Sequence, residues 1–426
     1  MDRIEEYESV PVPLSARKST TSVSAVWFGF PMVVTNTVIG GLLGWNLGFW
    51  PAAGVIFLGN MVLFAYVGLL SYIAGSTGLN FALLAQRSFG KKGYRFAAAF
   101  LSIVVIGWYA FQVGLTGKML SGLFDLNINT VLIIATIFYT TITFFGVRAL
   151  AWIGFISVPF FLIIVAFSLF GLHQQGGIML ATQATGHHDG ITFFIALSML
   201  IAGWADSGTM TPDFTRWAKN GRSAVIATFS AFPIGNGVAL LAGALFACSG
   251  LIPDPGHNGG DFLPVFLHQY PHTGWIAIVF VFINLGSVCS HCLYNGAVGM
   301  SNLFGQPMRR MSVILGLLGG GFALAGAWSY FLNWLTLVGL AVPPIGMILI
   351  IDYFMLSKSK ESAPGQQDYL KDALYCWAAT TFIAVIIHIT YPGAGDAIPG
   401  LIIGALLRIV QQINRAKRAV TTESLI

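Results

Sequence analysis

The stretch Ile201-Ala-Gly-Trp-Ala-Asp-Ser-Gly-Thr-Met-Thr-Pro212 places one carboxylate, Asp206, well inside an apolar run that begins near Ile191. A charge at that depth costs at least about 2.5–3.5 kcal/mol on insertion scales, so it is rarely kept without a use. The use expected here is to partner a substrate or a proton near the middle of a bilayer. The competing reading is a structural carboxylate paired to a neighbouring helix. No lysine or arginine lies at comparable depth, and His291 and His388 are the only candidates for such a pair. Gly203, Gly208 and Pro212 weaken a continuous helix around the carboxylate. A helix broken at membrane depth needs a cavity, a ligand or other protein to satisfy its freed backbone groups, which is how transporter binding sites are built.

Other residues add to this chemistry. Trp108 and Gln112 lie one helical turn apart and share a face. Trp108 could stack on a flat ring and Trp204 could cover its other side, although packing is an equal competitor. Asn284, Ser287, His291 and Asn295 form a polar stripe at spacings of three and four. Asn284 and Ser287 offer hard oxygens that suit Na⁺, together with unwound carbonyls near Gly29. The alternative is interhelical hydrogen bonding. Cys289-Ser-His-Cys292 lies in an apolar segment without a second ligand pair, so neither zinc nor redox chemistry is expected. No phosphate-binding loop of the form GxxxxGK[ST] is present, which argues against ATP-driven transport by this chain alone. No nucleophile triad or zinc-protease spacing stands out, and no enzymatic activity is expected.

The elements that must position these groups are membrane helices. Of 426 residues, 56% are hydrophobic and 9% charged, against roughly 25% charged in soluble domains. Mean hydropathy is +0.78. The net charge of +5 is too small for a nucleic-acid footprint. The polar N-terminus has no apolar core, so no cleavable signal peptide is expected. Twelve apolar segments fit the ~20 residues that a spanning helix needs: 23–41, 51–74, 95–120, 130–147, 152–172, 191–211, 224–249, 275–300, 311–328, 331–356, 374–391 and 398–410. With the N-terminus taken as cytoplasmic, twenty of the 21 basic residues fall on that side and only Lys118 on the other. Both termini are therefore expected in the cytoplasm. The external loops include 173–190 and 250–273; the scattered His257, His268 and His272 of the second are read as ordinary loop residues.

Gly29 and Pro31 interrupt the first span as Gly203 and Gly208 interrupt the sixth. Two broken helices five spans apart form the pattern of an inverted repeat whose half-helix ends face a central site. The expected organisation is an N-terminal tail (1–22), a first repeat (23–172), a second repeat (191–356), two additional spans (374–410) and a polar tail (411–426).

Several short runs carry a resemblance: Val10-Pro-Val-Pro-Leu-Ser-Ala-Arg-Lys18, Gly40-Gly-Leu-Leu-Gly44, Leu70-Ser-Tyr-Ile-Ala-Gly75, Leu84-Ala-Gln-Arg-Ser-Phe-Gly90, Gly107-Trp108, Ser207-Gly-Thr209 with Asp213-Phe214, Leu293-Tyr294, and Pro343-Pro-Ile-Gly346 with Asp352-Tyr353. Together they resemble nucleobase–cation symporter family one, and within it the bacterial cytosine permeases. The resemblance implies an all-α membrane protein of twelve helices. Ten of these would form the LeuT-like five-plus-five inverted repeat, with helices one and six discontinuous. It implies a base stacked between aromatics at Trp108 and Trp204, and a sodium site made by Gly29, Met32, Asn284 and Ser287. The chain departs from cytosine permeases at Val105 (an amide there), Trp204 (phenylalanine), Asp206 (serine), Val288 (a second hydroxyl) and Cys289-Ser-His291 (an asparagine-rich run).

The resulting expectation is a cation-coupled importer of a flat, amino-bearing N-heterocycle such as cytosine, an aminopyrimidine or a purine, with Na⁺ favoured over H⁺. Trp108 and Trp204 would hold the ring, Asp206 would accept hydrogen bonds from it, and Gln112, Ser207 and His291 are further candidates. No cofactor beyond the coupling ion is expected. The expected partners are the substrate and the lipid bilayer; the oligomeric state is left open, a monomer being plausible. A proton-coupled symporter working through Asp206 is the alternative, and a passive channel or sensor is the alternative from another class.

Overall fold

The computed structural model describes residues 6–187, 190–356, 368 and 370–423. The first span is split into α1 (Thr20–Phe28) and α2 (Val34–Leu47). Then follow α3 (Phe49–Thr77), the short α4 (Phe81–Phe89), α5 (Tyr94–Phe124), α6 (Ile128–Phe144), α7 (Val147–Gln174) and a loop helix α8 (Gly177–Gln183). The sixth span comprises α9 (Phe193–Thr209) and a single turn, α10 (Pro212–Thr215). The seventh comprises α11 (Gly221–Phe229), a π-helical segment (Ser230–Asn236) and α12 (Gly237–Cys248). After the loop helices α13 (Pro255–Asn258) and α14 (Leu263–Gln269) come α15 (Gly274–Phe304), α16 (Met308–Leu324), α17 (Phe331–Ala341), α18 (Pro343–Leu356), α19 (Lys371–Thr390) and α20 (Ala397–Glu423).

Eight segments are long and apolar enough to cross a membrane as they stand. The remaining four spans are the interrupted first, α6, α9 and α16, which brings the total to the twelve expected. Local chemistry sets many of the ends. Ser19, Asn80, Asn127, Thr192 and Asn220 each accept a backbone N–H in the first turn of the helix that follows. Gly78 and Gly305 close α3 and α15 in the left-handed region.

Two expectations are corrected. The sixth span does not break at Gly203 or Gly208: α9 runs through both and ends at Thr209, so the interruption falls at Met210–Thr211, just before Pro212. Proline removes a donor and clashes with the preceding turn, whereas glycine only weakens a helix, and neighbouring packing outweighs that weakness. The last span does not stop at 410. α20 continues through Glu423, and its Arg408 forms a doubly hydrogen-bonded, buried pair with Asp352 of α18 at 2.7 and 2.6 Å. The seventh and tenth spans are also interrupted, at Pro233 and Pro343.

The helices sort into two packed groups. α2, α3, α9, α11 and α12 lie on one another, with α1 against α11. α5, α6, α15 and α16 lie on one another in the same way. The first group holds spans one, two, six and seven, and the second holds three, four, eight and nine, so each contains matching members of both repeats. Glycines permit the closest approaches within the first group: a Cβ on Gly40 would stand 2.0 Å from the Leu240 carbonyl oxygen. The two groups meet along a seam, and the features below lie on it.

Candidate functional site

Two breaks in regular structure open the middle of the seam. Gly29 caps α1, Pro31 offers no N–H, and Val33 is extended (φ −135°, ψ 156°), so the chain turns before α2 begins. Asn36 donates its amide to the Pro31 carbonyl at 2.5 Å and holds this turn. In the seventh span, the π-helical segment turns Asn236 towards α9. There it accepts the Trp204 indole N–H at 3.2 Å and donates to Asn60 of α3 at 2.9 Å.

Between these breaks lies a small hollow. Phe30, Thr35, Asn36, Gly203, Trp204 and Ser207 line it from the first group, and Trp108, Gln112, Val288 and Cys292 from the second. Its volume is about 10 Å³, room for about one water molecule. The seam must therefore part before a ring can enter. Trp108 stands edge-on to Phe331 at 5.4 Å, and its buried indole N–H has no acceptor among the described residues. Trp204 stands edge-on to Phe30 at 4.9 Å. Gln112 accepts the Thr35 hydroxyl at 2.6 Å, a bond that crosses the seam directly.

Of the residues expected at a substrate site, Trp108, Trp204, Gln112 and Ser207 therefore meet at one hollow. Asp206 and His291 do not line it. Asp206 is one residue from Ser207, about 100° around the helix, and is buried next to the hollow's Cys292 and to Tyr66 of α3. Neither carboxylate oxygen has a hydrogen-bond partner among the described residues. Neither candidate histidine pairs with it. His388 is 2.6 Å from Asp396. His291 turns Nδ1 to the Ser287 carbonyl at 2.7 Å and stacks on Phe30 at 4.6 Å. Thr35, Asn36, Asn60 and Asn236 were not singled out from the sequence. The polar triplet Thr35-Asn36-Thr37, one helical turn past Pro31, and lone asparagines inside the second and seventh spans, were the available signals.

The four residues expected to hold a cation also come together. Ser287 donates its hydroxyl to the Gly29 carbonyl at 2.9 Å. Asn284 donates to the Met32 carbonyl at 3.0 Å and to the Ser157 hydroxyl of α7 at 3.0 Å, while its oxygen accepts the Val34 N–H at 2.8 Å. The Asn284 amide oxygen accepts this one N–H and keeps a second lone pair, as do the Gly29 and Met32 carbonyls and the Ser287 and Ser157 hydroxyls. These are hard oxygens of the kind an alkali cation takes, with Val288 contributing no further one.

At the end of the seam that carries the N-terminus, the closure is thick. Phe214 stacks on Tyr294 (5.7 Å) and lies edge-on to His291 (5.3 Å). At the opposite end a second cavity of about 280 Å³ opens, lined by Val38, Leu115, Lys118, Met119, Asp261 and Pro264 among others. Leu115, Met119 and Gly122 continue the α5 face that carries Trp108 and Gln112, so this vestibule lies in line with the hollow.

The comparisons agree with this architecture. The solved structure of Mhp1, a nucleobase-cation-symport-1 family transporter in a closed conformation with bromovinylhydantoin bound, superposes with a TM-score of 0.80 at 16% identity, covering 96% of this chain and 95% of that one. A Na⁺-coupled sialic acid symporter superposes with a TM-score of 0.64 at 13% identity, covering 93% and 90%. Among curated relatives, the cytosine permease of Escherichia coli (strain K12) is 28% identical over 408 residues, 94% of this chain and 91% of that protein. The hydantoin permease of Microbacterium maritypicum is 21% identical over 400 residues, 86% and 79%. Residues 11–402 match the family model described as permease for cytosine/purines, uracil, thiamine, allantoin. The chain belongs to that family, nucleobase–cation symporter family one, and is a multi-pass membrane permease rather than an enzyme.

Proposed function

We propose that this permease imports an amino-bearing N-heterocycle, of the size of cytosine, an aminopyrimidine or a purine, by cation symport with alternating access. The carrying observation is the hollow on the seam, with an indole from each helix group and a polar edge between them. In this reading Trp108 and Trp204 flank the ring. The amides of Gln112 and Asn36 and the hydroxyl of Ser207 read its edge, and the unpartnered Trp108 N–H donates to it. Asp206 acts from behind the lining, reached through Ser207 and Cys292 once the seam parts. Such a donor–acceptor edge suits a neutral amide-like heterocycle, because a site built to hydrogen-bond a group rejects analogues that lack it.

Na⁺ is the favoured coupling ion. Gly29, Met32, Asn284 and Ser287, with the Ser157 hydroxyl, would hold it between the first and eighth spans, and it would supply charge that draws the α1–α2 break towards α15. Both termini face the cytoplasm in this reading, of a bacterial inner membrane, which the distribution of basic residues supports. A second reading, proton coupling through Asp206, is favoured by one observation: both of its oxygens lack a donor.

Thermal stability of the purified protein, measured against nucleobases, aminopyrimidines and hydantoins with Na⁺ or with choline, tests both readings through the stabilisation that binding gives. A Na⁺-dependent shift with one such heterocycle supports the first. A Na⁺-independent shift that Asp206→Asn removes supports the second. No shift with any heterocycle refutes the substrate class.

A further inference from the structure

Residues 6–18, irregular apart from a 3-10 turn at Leu14–Ala16, form a strap across the end of the seam opposite the vestibule. One part of it is fixed to the first helix group. Val12 N–H donates to the Gly78 carbonyl at 2.9 Å, the Arg17 guanidinium to the Gly75 carbonyl at 2.6 Å, and Lys18 N–H to the Trp217 carbonyl at 2.7 Å. The other part is fixed to the second group and to the start of α7. The Glu6 carboxylate accepts the Tyr294 hydroxyl of α15 at 2.9 Å and the Val147 N–H at 3.4 Å, beside Gly146, where a Cβ would collide with it. Glu8 accepts the Met308 N–H at 3.2 Å with its carboxylate, and the Asn302 amide at 3.1 Å with its carbonyl.

Arg216, fully buried after α10, joins the two parts. It donates to the Glu6 carbonyl at 2.8 Å and the Tyr7 carbonyl at 2.7 Å while remaining bonded to Asp213 of its own turn. Tyr7 takes up a left-handed backbone (φ 48°) and packs edge-on against Trp217. A glutamate in a polar leader and an arginine just past a helix end are ordinarily solvated, yet Glu6 is 4% exposed and Arg216 not at all. Burial pushes the Glu6 carboxyl above the usual carboxylate range, against the pull of Tyr294 and Arg216.

We propose that this strap is the inner latch of the transport cycle: Glu6 on Tyr294 and Arg216 on the strap carbonyls bind the two helix groups together, and both sets of bonds must break before the seam opens to the cytoplasm. The strap spans parts that have to separate, and its buried polar groups stay satisfied only while they are together. The inference does not depend on which heterocycle or ion is carried.

Cys292, on the lining of the hollow, provides the reporter. In full-length protein carrying Cys248→Ala, Cys289→Ala and Cys376→Ala, its labelling by a membrane-impermeant maleimide is compared in inside-out and right-side-out vesicles. Tyr294→Phe and Glu6→Gln should each speed labelling from the strap side about tenfold, the factor that losing one charge-assisted hydrogen bond gives in an open–closed ratio, with no gain from the other side. Leu14→Ala, at an exposed strap position, should change nothing. Unchanged labelling, or equal gains from both sides, overturns the proposal. A second arm is independent of those variants: Glu8→Cys with Asn302→Cys, oxidised to fix the strap to α15, should stop uptake until reduced. Uptake that continues with the strap fixed overturns it as well.

Discussion

The two ends of the seam are closed in different ways. At the vestibule end, the seam-crossing hydrogen bond from Thr35 to Gln112 lies at the hollow, in line with a cavity of about 280 Å³. At the other end the Phe214–Tyr294 stack, the His291 ring and a buried Glu6–Arg216 strap fill the gap. A neutral hydrogen bond contributes about 0.5–1.5 kcal/mol, whereas bonds to charged groups contribute about 1.5–3 kcal/mol and here act in parallel. The difference implies a protein poised to open first towards the vestibule, with the opposite opening reserved for a loaded state that can offset the thicker closure.

The largest expected effect is at the thick end. Arg216→Ala leaves the Glu6 and Tyr7 carbonyls buried without a donor, and should lower stability by about 3–5 kcal/mol, seen as a lower melting temperature of the detergent-solubilised protein. A melting temperature equal to that of the unaltered chain would mean the strap is solvated in the membrane. Next comes the hollow itself. Trp108→Ala should weaken heterocycle binding by about tenfold to a hundredfold, the usual worth of one aromatic surface against a base, read as a rise in KM for uptake. An unchanged KM would move the ring away from this indole. Thr35→Val keeps the side-chain shape and removes only the thin closure. It should raise Cys292 labelling from the vestibule side by about threefold and leave the strap side alone. The smallest effect belongs to Lys118→Ala, at the exposed rim of the vestibule. Uptake KM should change less than about twofold, because charges that face water are screened. A larger change would make the vestibule a recognition site in its own right.

Much of the fold was readable because a bilayer imposes a length and a polarity on every span. The apolar runs gave twelve helices, and Pro31 and Pro212 lie beside the interruptions that the structure shows. The junction of Gly29, Met32, Asn284 and Ser287 was reachable through family resemblance, since two interrupted backbones and a polar stripe have few ways to meet. The orientation of Asp206 was not readable. It depends on α9 staying helical through Gly203 and Gly208, which fixes a rotation of about 100° between neighbours, and packing rather than propensity decides that. The strap was invisible for a related reason. Glu6 in a polar leader looks like a hydrated charge, and its partners Arg216 and Tyr294 lie more than two hundred residues away.

The pairing of Arg408 with Asp352 bears on how this permease can be handled. It rivets the final helix to the tenth span by two parallel bonds, outside both groups that form the seam. A fluorescent domain or affinity tag fused after α20 would hang from a helix pinned outside the seam, whereas the same cargo in front of Glu6 would tug on the door bolt.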